Sequence, residues 1–154
     1  MAHEPLQTAH GGDFAGCRQL SVFLENRLGQ LLRLTRIFEE GDVNILALSV
    51  EGSIDCAIVR LLVNDPDTAY KMLSDTGFPS SETEVVVVEL PPGRRGIMVV
   101  CAALISGEIN INYLYPLIRG PDENPALAIQ VDNLAGAAAV LQSRKFRVLQ
   151  QFEL

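Results

Sequence analysis

Two rhythms of apolar and polar positions run along the chain. Gln19–Glu25 alternates at period two and is β-branched, which predicts a strand. Gly29–Glu40 then changes to helical spacing. Leu31, Leu34/Thr35 and Phe38 share one face, Gln30, Arg33, Arg36 and Glu39/Glu40 take the other, and Gly41 stops the helix. Val43–Val50 and Ile54–Val63 read as strands joined by a turn at Glu51-Gly52-Ser53. Asp65-Pro66 opens a second helix, because the aspartate accepts free N–H groups and proline suits the first turn. Ala69, Met72 and Leu73 supply its buried side and Gly77 ends it.

The same grammar returns. A strand over Glu84–Leu90, a helix near Gly96–Ser106 and strands at Ile109–Leu117 and Ala126–Val131 are followed by a helix at Leu134–Ser143 and a strand at Phe146–Glu153. Laid in register, Val22 faces Val88, Leu24 faces Leu90, Leu31 faces Ile97, Phe38 faces Leu104, Val43 faces Ile109 and Ile45 faces Ile111. After a slip of two residues, Val63 faces Val131, Ala69 Ala137, Leu73 Leu141 and Phe78 Phe146. A duplication explains this pattern best.

The expected organisation is therefore a tail at 1–16, one βαββαβ module at 17–83 and a second at 84–154, an α+β fold of two ferredoxin-like modules. Each has an antiparallel sheet with its helices on one face. Only Phe78–Leu90 is available both to end the first module and to begin the second. One long or bent strand shared by the two, or an exchange of strands, resolves this and makes the halves one cooperative unit.

Composition narrows the function. A net charge of −7 argues against nucleic acid and against an anionic membrane surface, both of which call for clustered Lys and Arg. No apolar run approaches the roughly 18 residues of a membrane span, and the first residues lack the pattern of a secretory signal, so a cytoplasmic protein is expected. Cys17, Cys56 and Cys101 are widely spaced in apolar sequence, as expected of reduced thiols packed in a core. His3 and His10 both fall in the tail, which leaves no histidine in the folded part for Ser-His-Asp, Cys-His or zinc chemistry. No catalytic residue, metal site or cofactor is expected. Pro91–Gly96 lacks the spacing of a phosphate loop and reads as a stiff turn with two solvated arginines; Gly120–Pro125 reads as a plain turn.

Glu25-Asn26-Arg27-Leu28-Gly29 at the first strand–helix turn, with Val43-Asn44-Ile45 after the helix, resembles the ACT domain, a regulatory amino-acid-binding module. Tyr113-Leu114-Tyr115 in the second half is also typical of the stand-alone tandem members that the whole chain beyond the tail looks like. In serine-binding members, asparagines matching Asn26 and Asn44 hold the ligand across a domain interface. Leu28 stands where the family usually has proline, and Leu24 where some serine-binding members have histidine.

The residues support that reading on their own. A helix N-terminus presents unpaired N–H groups to a carboxylate, Gly29 permits close approach, and a carboxamide serves ammonium or carboxylate without net charge. The expected ligand-binding residues are Asn26, Arg27, Leu28, Gly29, Asn44, Tyr113 and Tyr115. The same side chains have plainer uses: Asn26 as a helix cap, Asn44 as a support for backbone at a strand start, and the tyrosines as packing. The second half departs from the motif, with Pro92 at the place of Asn26 and only Asn110 matching Asn44. The expected partner is a free amino acid. The resemblance also extends to small subunits of acetohydroxyacid synthase, which implies an enzyme partner, and exposed edge strands imply a homodimer.

Overall fold

The computed structural model describes residues 16–154, so the expected tail, with His3 and His10, lies outside the described residues except for Gly16. The first module contains β1 (Cys17–Glu25), α1 (Gln30–Glu40), β2 (Ile45–Gly52), β3 (Cys56–Val63) and α2 (Pro66–Asp75). Then come β4 (Ser80–Glu89), α3 (Gly96–Ser106), β5 (Ile111–Pro116), β6 (Ala126–Val131), α4 (Leu134–Ser143) and β7 (Val148–Leu149). Among the described residues no helix is long and apolar enough to cross a membrane.

The seven strands form one antiparallel sheet in the order β2-β3-β1-β4-β6-β5, with β7 also against β4. β4 serves both modules. Ser80–Val85 pairs with β1, whereas Val86–Glu89 pairs with β6 on the opposite edge. Val85 to Val88 are fully buried because both faces of this strand are covered, which is why four valines run without alternation. Val86 and Val88 enter the core beneath α3 and α4; Val85 and Val87 enter a core between the modules.

The last strand is shorter than its sequence predicts. Only Val148 and Leu149 pair with β4, and Gln151–Glu153 turns into a 3-10 helix. β1 already occupies that edge of β4 as far as Val85, opposite Cys17, so few rows are left for β7. The two strands abut end to end, with Cys17 Sγ donating to the Leu149 carbonyl at 3.4 Å.

The duplication extends to backbone detail. Asp65 Oδ1 accepts from Thr68 N at 3.1 Å to cap α2, and Asn133 Oδ1 accepts from Gly136 N at 2.9 Å to cap α4. Asp42 and Glu108 both take φ 57°, following the helix-ending glycines Gly41 and Gly107. Asn44 N donates to Asn64 Oδ1 at 2.8 Å, as Asn110 N donates to Asp132 Oδ1 at 3.0 Å.

Each module packs its helices on one side of its sheet, around Leu20, Leu34, Phe38, Leu61 and Leu73 in the first and Val100, Leu104, Leu127, Ile129 and Leu141 in the second. Burying each such side chain contributes about 1.5–3 kcal/mol. The opposite faces meet in a third core that includes Cys17, Ala47, Leu62, Val87, Tyr115, Ala128 and Leu149. To bring them together the sheet curls until its outer strands touch. Ala47 bridges Leu117, and Ile118 N donates to the Leu46 carbonyl at 2.7 Å. Both edge strands expected to pair with another copy are thus partly engaged within the chain.

Candidate functional site

The turn between β1 and α1 is open to solvent. Gly29 is the N-cap of α1 at φ 85°, a left-handed conformation that suits glycine, and a Cβ added there would meet nothing within 4 Å. Leu28 is fully exposed, and Arg27 pairs with Glu25 at 2.6 Å on the surface. No side chain caps α1 and no acidic residue lies in its first turn. Asn26 is engaged elsewhere, since its Nδ2 donates to the Ser53 carbonyl at 2.6 Å and the Ile54 carbonyl at 3.3 Å, tying down the β2–β3 hairpin. Gln30 N donates to the Arg27 carbonyl at 3.3 Å and Arg33 N to the Gly29 carbonyl at 2.9 Å, so the Leu31 and Leu32 N–H groups, at the partly positive end of the helix, are left without an acceptor among the described residues.

Asn44 stands at the other end of the module. Its main chain is held by Asn64, and its side chain is exposed and makes no hydrogen bond among the described residues. Asn26 N donates to the Asp55 carbonyl and Asn64 N to the Asn44 carbonyl, so the two asparagines mark opposite ends of β3. Nine residue steps of about 3.3 Å put them about 30 Å apart. One chain does not bring this pair together.

Tyr113 and Tyr115 sit elsewhere, at the junction of the modules. Their rings stack at 6.5 Å with an interplanar angle of 20°. Tyr115 OH donates to Gln19 Oε1 at 2.7 Å, and Gln19 Nε2 donates to Tyr113 OH at 2.8 Å and to Ser21 Oγ at 3.3 Å. Gln19 is completely buried, and no buried side-chain N or O among the described residues lacks a partner. Burial, and then the neighbouring Tyr113, raise the Tyr115 phenol well above the usual tyrosine range, so it stays a donor. The Arg60 guanidinium lies 4.0 Å from the centre of the Tyr113 ring and pairs with Glu51 at 2.8 Å. The candidate residues therefore divide into two places, the open turn of α1 and the closed seam between modules.

Sequence patterning does not single out Gln19, Ser21, Arg60 or Glu51. In β1, Gln19 and Ser21 alternate with Leu20 and Val22, a pattern that ordinarily marks a solvated face; a second sheet covering that face is a tertiary fact. The expectation of three core thiols holds for Cys17, which is buried with its thiol pushed up to about 12, chiefly by burial and then by Glu153. It fails for Cys56, which is exposed at the start of β3 beside the hairpin, and Cys101 is half-buried on α3. The Gly120–Pro125 turn helps line a shallow hollow of about 370 Å³ together with Leu117, Ile118 and Arg119. Arg94 and Arg95 are exposed, and Gly93 makes their turn at φ 102°.

Comparison with known proteins agrees with this architecture. The ACT domain pair family matches residues 15–154. Protein BT0572 from Bacteroides thetaiotaomicron is 30% identical over 90% of this chain and 94% of its own, with a TM-score of 0.82. The ligand-free regulatory subunit of aspartate kinase from Thermus thermophilus is similar over 83% of this chain and 90% of its own at 12% identity and TM-score 0.61. The corresponding Thermus flavus subunit is similar over 84% and 93% at 12% identity and TM-score 0.57. At that identity the likeness to the kinase subunits is one of fold. No curated protein matches the chain.

Proposed function

The chain belongs to the ACT domain pair family, and from that premise we propose a regulatory, non-catalytic protein that binds a free amino acid where ACT modules meet. The uncapped start of α1 carries this reading. Its Leu31 and Leu32 N–H groups have no acceptor among the described residues, a Cβ at Gly29 would meet nothing within 4 Å, and the Asn26 carboxamide is turned to the hairpin. A carboxylate suits such a terminus, and Arg27 and Leu28 frame the approach to it. Because Asn26 and Asn44 lie about 30 Å apart in one chain, a ligand held by both takes Asn44 from a second copy. Amino-acid binding is then linked to assembly, since a ligand that bridges copies favours the assembled state by its extra affinity for it. Tyr113 and Tyr115 act in this reading through the seam, which fixes how one module sits on the other.

Titration calorimetry of the chain against the twenty amino acids is the test. Saturable heat from one of them, abolished in Asn26→Ala/Asn44→Ala, is expected. Absence of heat with all twenty refutes the reading.

A second reading rests on a separate observation. Leu28 and Ile54 are almost wholly exposed, and Asn26 ties the Ile54 turn to the turn that carries Leu28. Such a patch suits an enzyme partner, as for a regulatory subunit of an amino-acid-biosynthetic enzyme. Co-purification of an enzyme subunit that is lost in Leu28→Ser/Ile54→Ser favours it over a free sensor.

A further inference from the structure

The ladder between β1 and β3 stops one rung short of where its register leads. The strands pair from Glu25 opposite Cys56 to Leu20 opposite Leu61, which puts Arg18 opposite Val63. Asn26 N donates to the Asp55 carbonyl in the same register. Every second residue from there, through Leu24, Val22 and Leu20 to Arg18, therefore points its N–H across the ladder. At the Arg18 row the Gln151 carboxamide stands between the strands. Arg18 N donates to Gln151 Oε1 at 2.8 Å, and Gln151 Nε2 donates to the Val63 carbonyl at 3.4 Å. A side chain that follows the last strand of the second module thus takes the place of a peptide group in the sheet of the first. Its segment crosses the start of β1 at Cys17, whose Sγ donates to the Leu149 carbonyl and whose thiol is raised in part by Glu153.

We propose that residues 150–154 form a releasable strap: when it lifts, the Arg18 N–H and the Val63 carbonyl close the missing rung on each other, while the seam at Gln19 stays shut. Both arrangements satisfy the same two backbone groups, once through the carboxamide and once directly, and the freed carboxamide turns to water. Release therefore escapes the penalty of a buried polar group left unpaired, which ordinarily holds such a segment down. Opening the seam has no such outlet, because Gln19 is completely buried and would lose both tyrosines. Little else fastens the strap. β7 pairs over two residues, Phe152 is 86% exposed, and Leu154 is only partly buried against the third core. Glu153 accepts from Gln150 N at 2.6 Å and from Arg147 at 3.4 Å, the latter a surface ion pair of small worth. Local opening concentrates in segments held this lightly. Val63 adjoins Asn64, whose carboxamide holds the Asn44 main chain, so the exchange of partners takes place at the Asn44 end of the first module.

Two readouts on the full chain, without added amino acid, test this: native-state alkylation of Cys17, with exposed Cys56 as the reference, and hydrogen exchange of the Arg18 amide. Gln151→Ala is expected to speed Cys17 alkylation by about tenfold, roughly what losing one or two hydrogen bonds does to a local opening. The Arg18 N–H is expected to stay protected in the same variant, because the direct rung replaces the carboxamide. Phe152→Ala, in the same segment with its ring in water, is expected to change neither. Half-buried Cys101 on α3 reports loosening of the whole chain. If its rate rises in step with that of Cys17, Gln151→Asn, which keeps the carboxamide but shortens its reach by one carbon, takes the place of Gln151→Ala with the same outcome expected. Cys17 alkylation no faster than in the unaltered chain overturns the proposal. Faster alkylation together with an unprotected Arg18 N–H overturns it equally, since that is ordinary fraying of β1 with no second arrangement.

Discussion

The phenol of Tyr115 donates to Oε1 of Gln19 at 2.7 Å, although 96 residues separate them. The contact joins β5 of the second module to β1 of the first where Gln19 has no exposure to water. Its carboxamide is held at both ends, by Tyr115 at the oxygen and by Tyr113 and Ser21 at the nitrogen. A buried amide bound in this way favours one relative placement of two otherwise apolar surfaces, because sliding leaves polar atoms unpaired.

Tyr115→Phe keeps the ring and removes the donor, leaving Gln19 Oε1 buried without that partner. Destabilisation of about 1–3 kcal/mol is expected. Gln19→Leu/Tyr115→Phe removes both partners and is expected to cost less than the two single changes together. Urea unfolding of the four proteins gives the coupling; strict additivity would show that the bond does not join the modules.

Asp65 makes stability depend on pH at the acid end. Its carboxyl is held below the ordinary 3.8, first by the Thr68 hydroxyl and then by the Thr68 N–H. A carboxyl whose folded pKa is depressed stabilises fully above its unfolded value, and this contribution is lost as pH falls through the folded one. Asp65→Asn keeps a capping oxygen without titrating. The advantage of the unaltered chain over this variant in melting temperature is expected to shrink as pH falls below about 4. An advantage constant from neutral pH down through that range would count against the assignment.

The three thiols differ in reach. Cys56 is exposed, Cys101 is half-buried, and Cys17 is buried with its thiol pushed up to about 12. Only the thiolate reacts, so in the native chain at mildly alkaline pH a thiol reagent is expected to modify Cys56 first, Cys101 more slowly and Cys17 last. In denaturant all three react together. Peptide mapping of a brief alkylation checks the order, and early labelling of Cys17 would mean that β1 and β7 come apart readily.

Gly29→Ala places a Cβ in open space at φ 85°. Nothing clashes, so the backbone preference alone is expected to cost about 1–2 kcal/mol, measured by urea unfolding. A neutral outcome would mean that the turn relaxes to negative φ.

Whatever depends on near neighbours is legible in the amino-acid order alone. The repeat, the four helices, the Asp65 cap and the helix-ending glycines follow from spacing and local hydrogen bonding. α3, β6 and α4 lie where the repeat of the first module's order and the turn residues around them put them, since none of the three carries a clear apolar/polar alternation of its own. Chain length between the modules also requires Phe78–Leu90 to serve both, and β4 pairs with β1 along one half and with β6 and β7 along the other.

What covers those faces is settled only by the folded arrangement. Gln19 looks solvated in β1 and is fully buried, because the curl of the sheet lays the second module over it. β7 stops after two residues because β1 already lies along that edge of β4. Asn26 and Asn44 are one helix apart in sequence and at opposite ends of β3 in space, since α1 returns the chain along the full length of the sheet. Local preference acts over a few residues, whereas edges, seams and coverings are set by pairings between strands far apart in the chain, such as β1 with β4 and Gln19 with Tyr115.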